Sequence, residues 1–122
     1  MKKYEIYTDD FQFHFGRGRD SIPTMTGDEI IDAYRSCDDR ITANFLDPRR
    51  EASFDSLEEA MAEWEKNYKN YGSTSAAKSG AVWQLVGRLA YIEANEYDED
   101  GEFDQGGEIY VSSAESYIKP EE

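Results

Sequence analysis

Apolar and polar residues alternate from the start of the chain. Tyr4, Ile6 and Thr8 fall on every second position, and so do Phe11, Phe13 and Phe15. A period of two marks a strand with one covered face. Asp9-Asp10 between the two runs can form a turn, so residues 3–15 read as a hairpin or as one long bent strand. GRGRDSIPT follows as a loop. The period then changes to that of a helix. Ile30, Ala33, Tyr34 and Cys37 share one helical face over about 27–38, and Thr26 with Glu29 makes a capping box at its start. ITANFL, residues 41–46, is expected to be a strand stopped by Asp47-Pro48.

A second helix is the clearest element. Ser56 and Glu59 make another capping box; Leu57, Met61, Trp64, Tyr68 and Tyr71 line one face, and Gly72 is the expected stop. Its other face carries Glu58, Glu59, Glu63, Glu65, Lys66 and Lys69. GSTSAAKSG, residues 72–80, reads as a small-residue linker. AVWQLVGRLAYI, residues 81–92, fits a helical stripe or a strand; Gly80 and Gly87 favour the strand, whose two covered faces would explain the nearly continuous apolar run. EIYVSS, residues 108–113, is a further strand, and the chain is expected to fray from about 117. The order implies a single α+β domain over residues 1–122, with a mostly antiparallel sheet of four to five strands and two helices packed on one side.

Composition narrows the choice of partner. Hydrophobic residues make up 39% of the chain and aromatics 14%, enough for a core and unlike a disordered segment. One cysteine, Cys37, excludes an intrachain disulfide and suits a reducing cytoplasm. The start, MKKYEIYTDD, lacks the apolar stretch of a secretory signal. Net charge is −14, and it is lopsided: residues 51–122 hold five bases against seventeen acids. A basic nucleic-acid footprint is absent and an anionic membrane should repel the chain. The expected partner is cationic.

The charge peaks in NEYDEDGEFDQGGE, residues 95–108, with seven acids and no base. A solvated turn accounts for Asp98, Asp100 and Gly101, but not for Glu96, Glu102, Asp104 and Glu108 beside them. Like charges facing across a ladder cost a few tenths to about 1 kcal/mol each, a cost that a bound cation or cationic partner would remove. In a continuous strand, Glu96, Asp98, Asp100, Glu102 and Asp104 would face one way and Tyr97 and Phe103 the other. A calcium loop matches in part and then fails, because Gly107 stands where the bidentate glutamate belongs. A surface that imitates a polyanion needs several acidic rows, since duplex DNA carries a charge every ~1.7 Å of axis. Glu58, Glu59, Glu63 and Glu65 can supply a second row, and Asp28, Glu29, Asp32, Asp38 and Asp39 a third.

A short acidic chain with blocks such as EYDEDGEFDQGGE and SLEEAMAEWEKNY resembles the small accessory proteins of phages and other mobile elements, the anti-CRISPR and anti-restriction inhibitors among them. The resemblance lies in charge, size and style, and implies a DNA mimic that occupies a basic groove of a CRISPR effector or restriction enzyme, as a monomer or homodimer, without cofactor and without binding nucleic acid itself. The residues expected at that contact are Glu96, Tyr97, Asp98, Glu99, Asp100, Glu102, Phe103, Asp104 and Glu108, with Glu58, Glu59 and Glu63. Two other classes stay open: an interaction module whose acidity serves only solubility, and a loop that binds a divalent cation. Catalysis has little support. His14 is the only histidine, Cys37 lies on the apolar side of its helix, and FGRGRD lacks the Lys-Ser/Thr of a phosphate loop.

Overall fold

The computed structural model describes residues 1–36 and 48–120, with the backbone of 42 and 43. Two long strands form its spine. β1 (Lys2–Gly16) and β5 (Val82–Tyr97) run antiparallel from Lys2 opposite Glu96 to His14 opposite Gln84 without a break in register. An ordinary strand has about 5–6 residues; these are long enough for each outer edge to hold two short strands end to end. β2 (Thr42–Ala43) and β3 (Arg49–Phe54) pair with β1, while β4 (Ser73–Ser79) and β6 (Phe103–Ser112) pair with β5. Together they make a six-stranded antiparallel sheet which, with α1 (Gly27–Ser36) and α2 (Leu57–Asn67), gives an α+β fold. Among the described residues no helix is long and apolar enough to cross a membrane.

Register sorts the core by parity. Odd positions Phe11, Phe13, Leu85, Leu89 and Tyr91 join Ile30, Ile31, Ala33 and Tyr34 of α1 in one apolar cluster. Even positions Ile6, Ala90 and Ile92 join Ala60 and Trp64 of α2 in another. The two helices therefore cover opposite faces of the sheet, which corrects the expectation that both lie on one side. The cause is in β1 itself: its apolar residues are even before Asp9 and odd after Asp10, so each face has something to bury. Asp9-Asp10 makes no turn. Asp9 is fully buried and accepts a hydrogen bond from the Tyr34 hydroxyl, while Asp10 faces out towards Arg49 at 3.7 Å.

Both helix starts are capped. At Thr26 the box is reciprocal, its amide donating to Glu29 Oε1 at 3.1 Å, whereas the Glu59 carboxylate accepts from the Ser56 hydroxyl instead of the Ser56 amide. Thr26 Oγ1 accepts from the Glu29 amide at 3.1 Å and Ser56 Oγ from the Glu59 amide at 3.2 Å. The stretch 73–79, read as a linker, is the edge strand β4; Ser, Thr and Ala carry no strong strand signal, and its pairing with β5 supplies the order. The strand over 81–92 is present and continues to Tyr97. RREASF, not foreseen as an element, is β3. Of the strand expected over 41–46, Thr42–Ala43 is seen; the rest, with Cys37, Asp38 and Asp39, lies outside the described residues. The tail does not fray at 117: Tyr117 is buried and exchanges two backbone hydrogen bonds with Met25, at 2.8 and 3.0 Å.

Trp64 is 2% exposed and closes the core beneath α2. Trp64→Ala should lower stability by about 3–5 kcal/mol in urea unfolding, whereas Lys66→Ala, on the exposed side of the same helix, should stay within about 0.5 kcal/mol.

Candidate acidic interface

The hairpin joining β5 to β6 carries most of the acidic run. Tyr97 pairs with Phe103, and Asp98 to Glu102 make the turn. Asp98 is a turn-forming residue: its Oδ1 accepts from the amides of Asp100 at 3.0 Å and Glu102 at 2.9 Å, while Gly101 takes the positive φ of 81° the chain needs there. The remaining turn acids, Glu99, Asp100 and Glu102, point into solvent, and among the described residues no base pairs with them.

The expected alternation of acids and aromatics survives only at the base of the hairpin. Tyr97 and Phe103 do share a face, with ring centroids 6.0 Å apart in an edge-on arrangement. Glu96 takes the other face opposite Gln105, and the amino terminus lies 3.8 Å from its carboxylate. A register shift then inserts Asp104 as an unpaired extra residue. Two more shifts follow along β6, so that Gly107 and Glu108 together stand opposite Ala94, and Tyr110 is again an extra residue. Bulges in an edge strand re-aim side chains outward, which is why Asp104, Glu108 and Tyr110 are exposed on a strand that sequence alternation reads as regular.

α1 runs beside β6, from Gly27 against the Ala114 carbonyl to Arg35, whose Nη2 lies 3.5 Å from the Gly107 carbonyl. Between them is an open groove of about 540 Å³ lined by Asp28, Asp32, Arg35, Glu108, Ile109 and Tyr110. Asp28 and Asp32, four residues apart, form an acidic row about 6 Å in repeat along the helix, and Glu108 faces it from β6. The structure thus brings Glu108 of the hairpin to the Asp28 and Asp32 row on α1; Asp104 and the turn acids lie outside that groove. It does not bring in the α2 row: α2 packs on the other face of the sheet, over β1 and β3, with Glu58 and Glu59 exposed there and Glu63 accepting a hydrogen bond from Asn67.

Sequence reasoning missed a buried polar layer behind this edge. Glu5 and Glu93 stand directly opposite each other in the β1–β5 ladder, on the α1 face. Two adjacent carboxylates repel, and each is held by its own arginine: Glu93 by Arg35 of α1, Glu5 by Arg50 of β3 at 3.2 Å. Glu5, fully buried, also accepts hydrogen bonds from the Tyr97 hydroxyl and from Asn95 Nδ2 at 3.1 Å. Burial pushes its carboxyl pKa up, but hydrogen bonds from Tyr97, Asn95 and Ser53 and the Arg50 charge outweigh burial and hold it below 4.5. A carboxylate held ionised in this way has no proton to give, and one committed to an arginine is a poor nucleophile. Asp9, whose main influence is burial without an arginine of its own, moves in the opposite direction. The signal for this layer was the odd parity shared by Glu5, Tyr7, Asp9, Tyr91, Glu93, Asn95 and Tyr97. Among the described residues no three His, Cys, Asp or Glu side chains are grouped to hold a metal ion.

Because Glu5's folded pKa lies below its ordinary value, its contribution is present above about pH 4.5 and is lost as pH falls through the folded value. Glu5→Gln should cost about 1–3 kcal/mol at pH 7 and flatten the acid side of the stability–pH curve. Urea midpoints measured from pH 3 to pH 7 on both proteins read this out; parallel curves would remove Glu5 from the network.

Comparison with protein-family models, with curated proteins and with solved structures finds no match for this chain.

Proposed function

We propose that this protein acts by binding rather than catalysis, and that the edge formed by α1, β6 and the 98–102 turn docks into a basic groove of another macromolecule. The observation that carries the reading is the meeting of Asp28 and Asp32 on α1 with Glu108 on β6 across one open groove, on the strand that leads back to exposed Asp104 and to a turn whose acids no base neutralises among the described residues. Exposed Phe103 and Tyr110, 59% and 40% accessible, add the aromatic anchors that protein interfaces favour. A groove evolved for phosphates is a fitting partner, as in the anti-restriction and anti-CRISPR inhibitors that the chain resembles. In that reading Glu58, Glu59 and Glu63 on α2 contribute to long-range steering and not to the contact.

The second reading, acidity for solubility alone, draws on the bulges in β6: charges and bulges on an edge strand also keep it from pairing with other chains. The two separate in one experiment. A panel of restriction and CRISPR effector complexes is assayed for DNA displacement by the protein at rising salt. Asp28→Asn, Asp32→Asn and Glu108→Gln together should weaken inhibition at least tenfold, Glu58→Gln, Glu59→Gln and Glu63→Gln together less than threefold, and inhibition should fall steeply between low and high salt. Equal losses from both sets, or inhibition indifferent to salt, would count against the docking edge. Self-association of the groove variants would support edge protection.

A further inference from the structure

The strands β2, β3, β4 and β6 form the outer edges of the sheet. Three of them are guarded: β2 spans two residues, β3 is bulged at Glu51, and β6 shifts register three times and carries Asp104 and Glu108. Shortness, bulges and charges keep an edge from pairing with another chain. β4 differs. It follows β5 from Ser73–Arg88 to Ser79–Val82 in one unbroken register, and Lys78 is its only charged residue. Alternate residues of an antiparallel strand turn both N–H and C=O away from their neighbour. Among the described residues nothing pairs with the outer side of β4, so that row of donors and acceptors is open to a further strand.

The charge map clears the same edge. Net charge is −14, yet residues 72–92 contain Lys78 and Arg88 and no Asp or Glu. At the turn end of β4, Lys78 stands opposite Trp83, whose ring lies 5.7 Å from the Arg19 guanidinium. Two copies that met along α2 or β6 would bring glutamates and aspartates together. Two that meet along β4 bring none.

We propose that β4 is a self-association edge: two copies join by antiparallel pairing of β4 with β4 about a two-fold axis at Ala76, which carries the sheet across both chains. A two-fold contact needs a self-complementary surface, and this strand supplies one. Centring on Ala76 sets Ser75 opposite Ala77, Thr74 opposite Lys78 and Ser73 opposite Ser79 of the second copy. Each lysine then meets a threonine, whereas centring on Lys78 would set like charges face to face and leave fewer residues paired. The axis also keeps the acidic edges apart. Leu85 stands opposite Ala76, and β5 runs on from there to Tyr97, roughly 40 Å at about 3.3 Å per residue. The two 98–102 turns therefore lie at opposite ends of the dimer, and the pairing holds whether or not the acidic edges dock into a basic groove.

Sedimentation equilibrium tests this on the protein alone. The 14.0 kDa chain should pass to twice that mass as its concentration rises through the micromolar range, since one strand pair is a small interface. Added salt should tighten the dimer by screening the net charge. Ser75→Lys with Ala77→Lys sets lysine against lysine at both pairs and should weaken it at least tenfold. Ser75→Glu with Ala77→Lys sets Glu against Lys across the axis and should return it to within threefold of the parent, a rescue that damage to the fold would not give. Hydrogen exchange of the parent should show amides within 73–79 gaining protection at high concentration. A parent that stays monomeric, equal loss in both variants, or concentration-dependent protection on 103–112 would overturn the β4 dimer. Weakening by salt would also overturn it, in favour of a head-to-tail contact between the acidic edge and Arg17 and Arg19.

Discussion

The long antiparallel pairing of β1 with β5 is the constraint on which the rest of the molecule depends. Its unbroken register from Lys2–Glu96 to His14–Gln84 assigns every side chain on two strands to one of two faces. A slip of one residue would send each apolar set to the wrong face, and here both faces are buried, each beneath its own helix. The same register sets Glu5 against Glu93, a repulsive juxtaposition that Arg50 and Arg35 relieve from opposite sides. Arg35 belongs to α1 and Arg50 to β3. The carboxylate pair thus ties the helix and an edge strand to the spine, and the seat of α1 beside β6 follows from it.

That seat makes the acidic edge. α1 is drawn to Glu93 by Arg35 and lies along β6, where its outer acids meet those on a strand made irregular by three register shifts. A regular β6 would have directed Asp104 and Glu108 by simple alternation. The bulges free them, with Tyr110, from the ladder. Turn acids differ in kind: Asp98 is used by the backbone of its own turn, while Glu99, Asp100 and Glu102 have no such internal task.

Much of the fold was legible. The helix starts were written in Thr26/Glu29 and Ser56/Glu59, and the α2 stripe from Leu57 to Trp64 packs as its spacing says. The helix ends at Asn67, however, short of the expected stop at Gly72, and Tyr68 and Tyr71 reach the same cluster from the turn beyond it. The two-sidedness of the sheet was also legible in principle, through the change of parity at Asp9-Asp10, but two adjacent aspartates suggest a turn, and only the Tyr34 hydroxyl shows why one of them is buried. β4 was hidden because its residues are small and its order comes from its neighbour. The acidic site was legible as composition and not as geometry: sequence distance set Asp28 and Asp32 far from Glu108, and only the ion pair between α1 and β5 explains their meeting. The layer behind it was hidden by the habit of reading a lone Glu or Asn in a strand as exposed.

The account's central claim is that the α1–β6 edge is the face that meets positive charge, while α2 stays outside the contact. Hydrogen–deuterium exchange on the protein alone and saturated with a basic partner measures this most directly. The account predicts new protection confined to residues 27–36 and 99–110, with α2 and β3 exchanging as before. Protection centred on α2, or spread evenly over both faces, would contradict it.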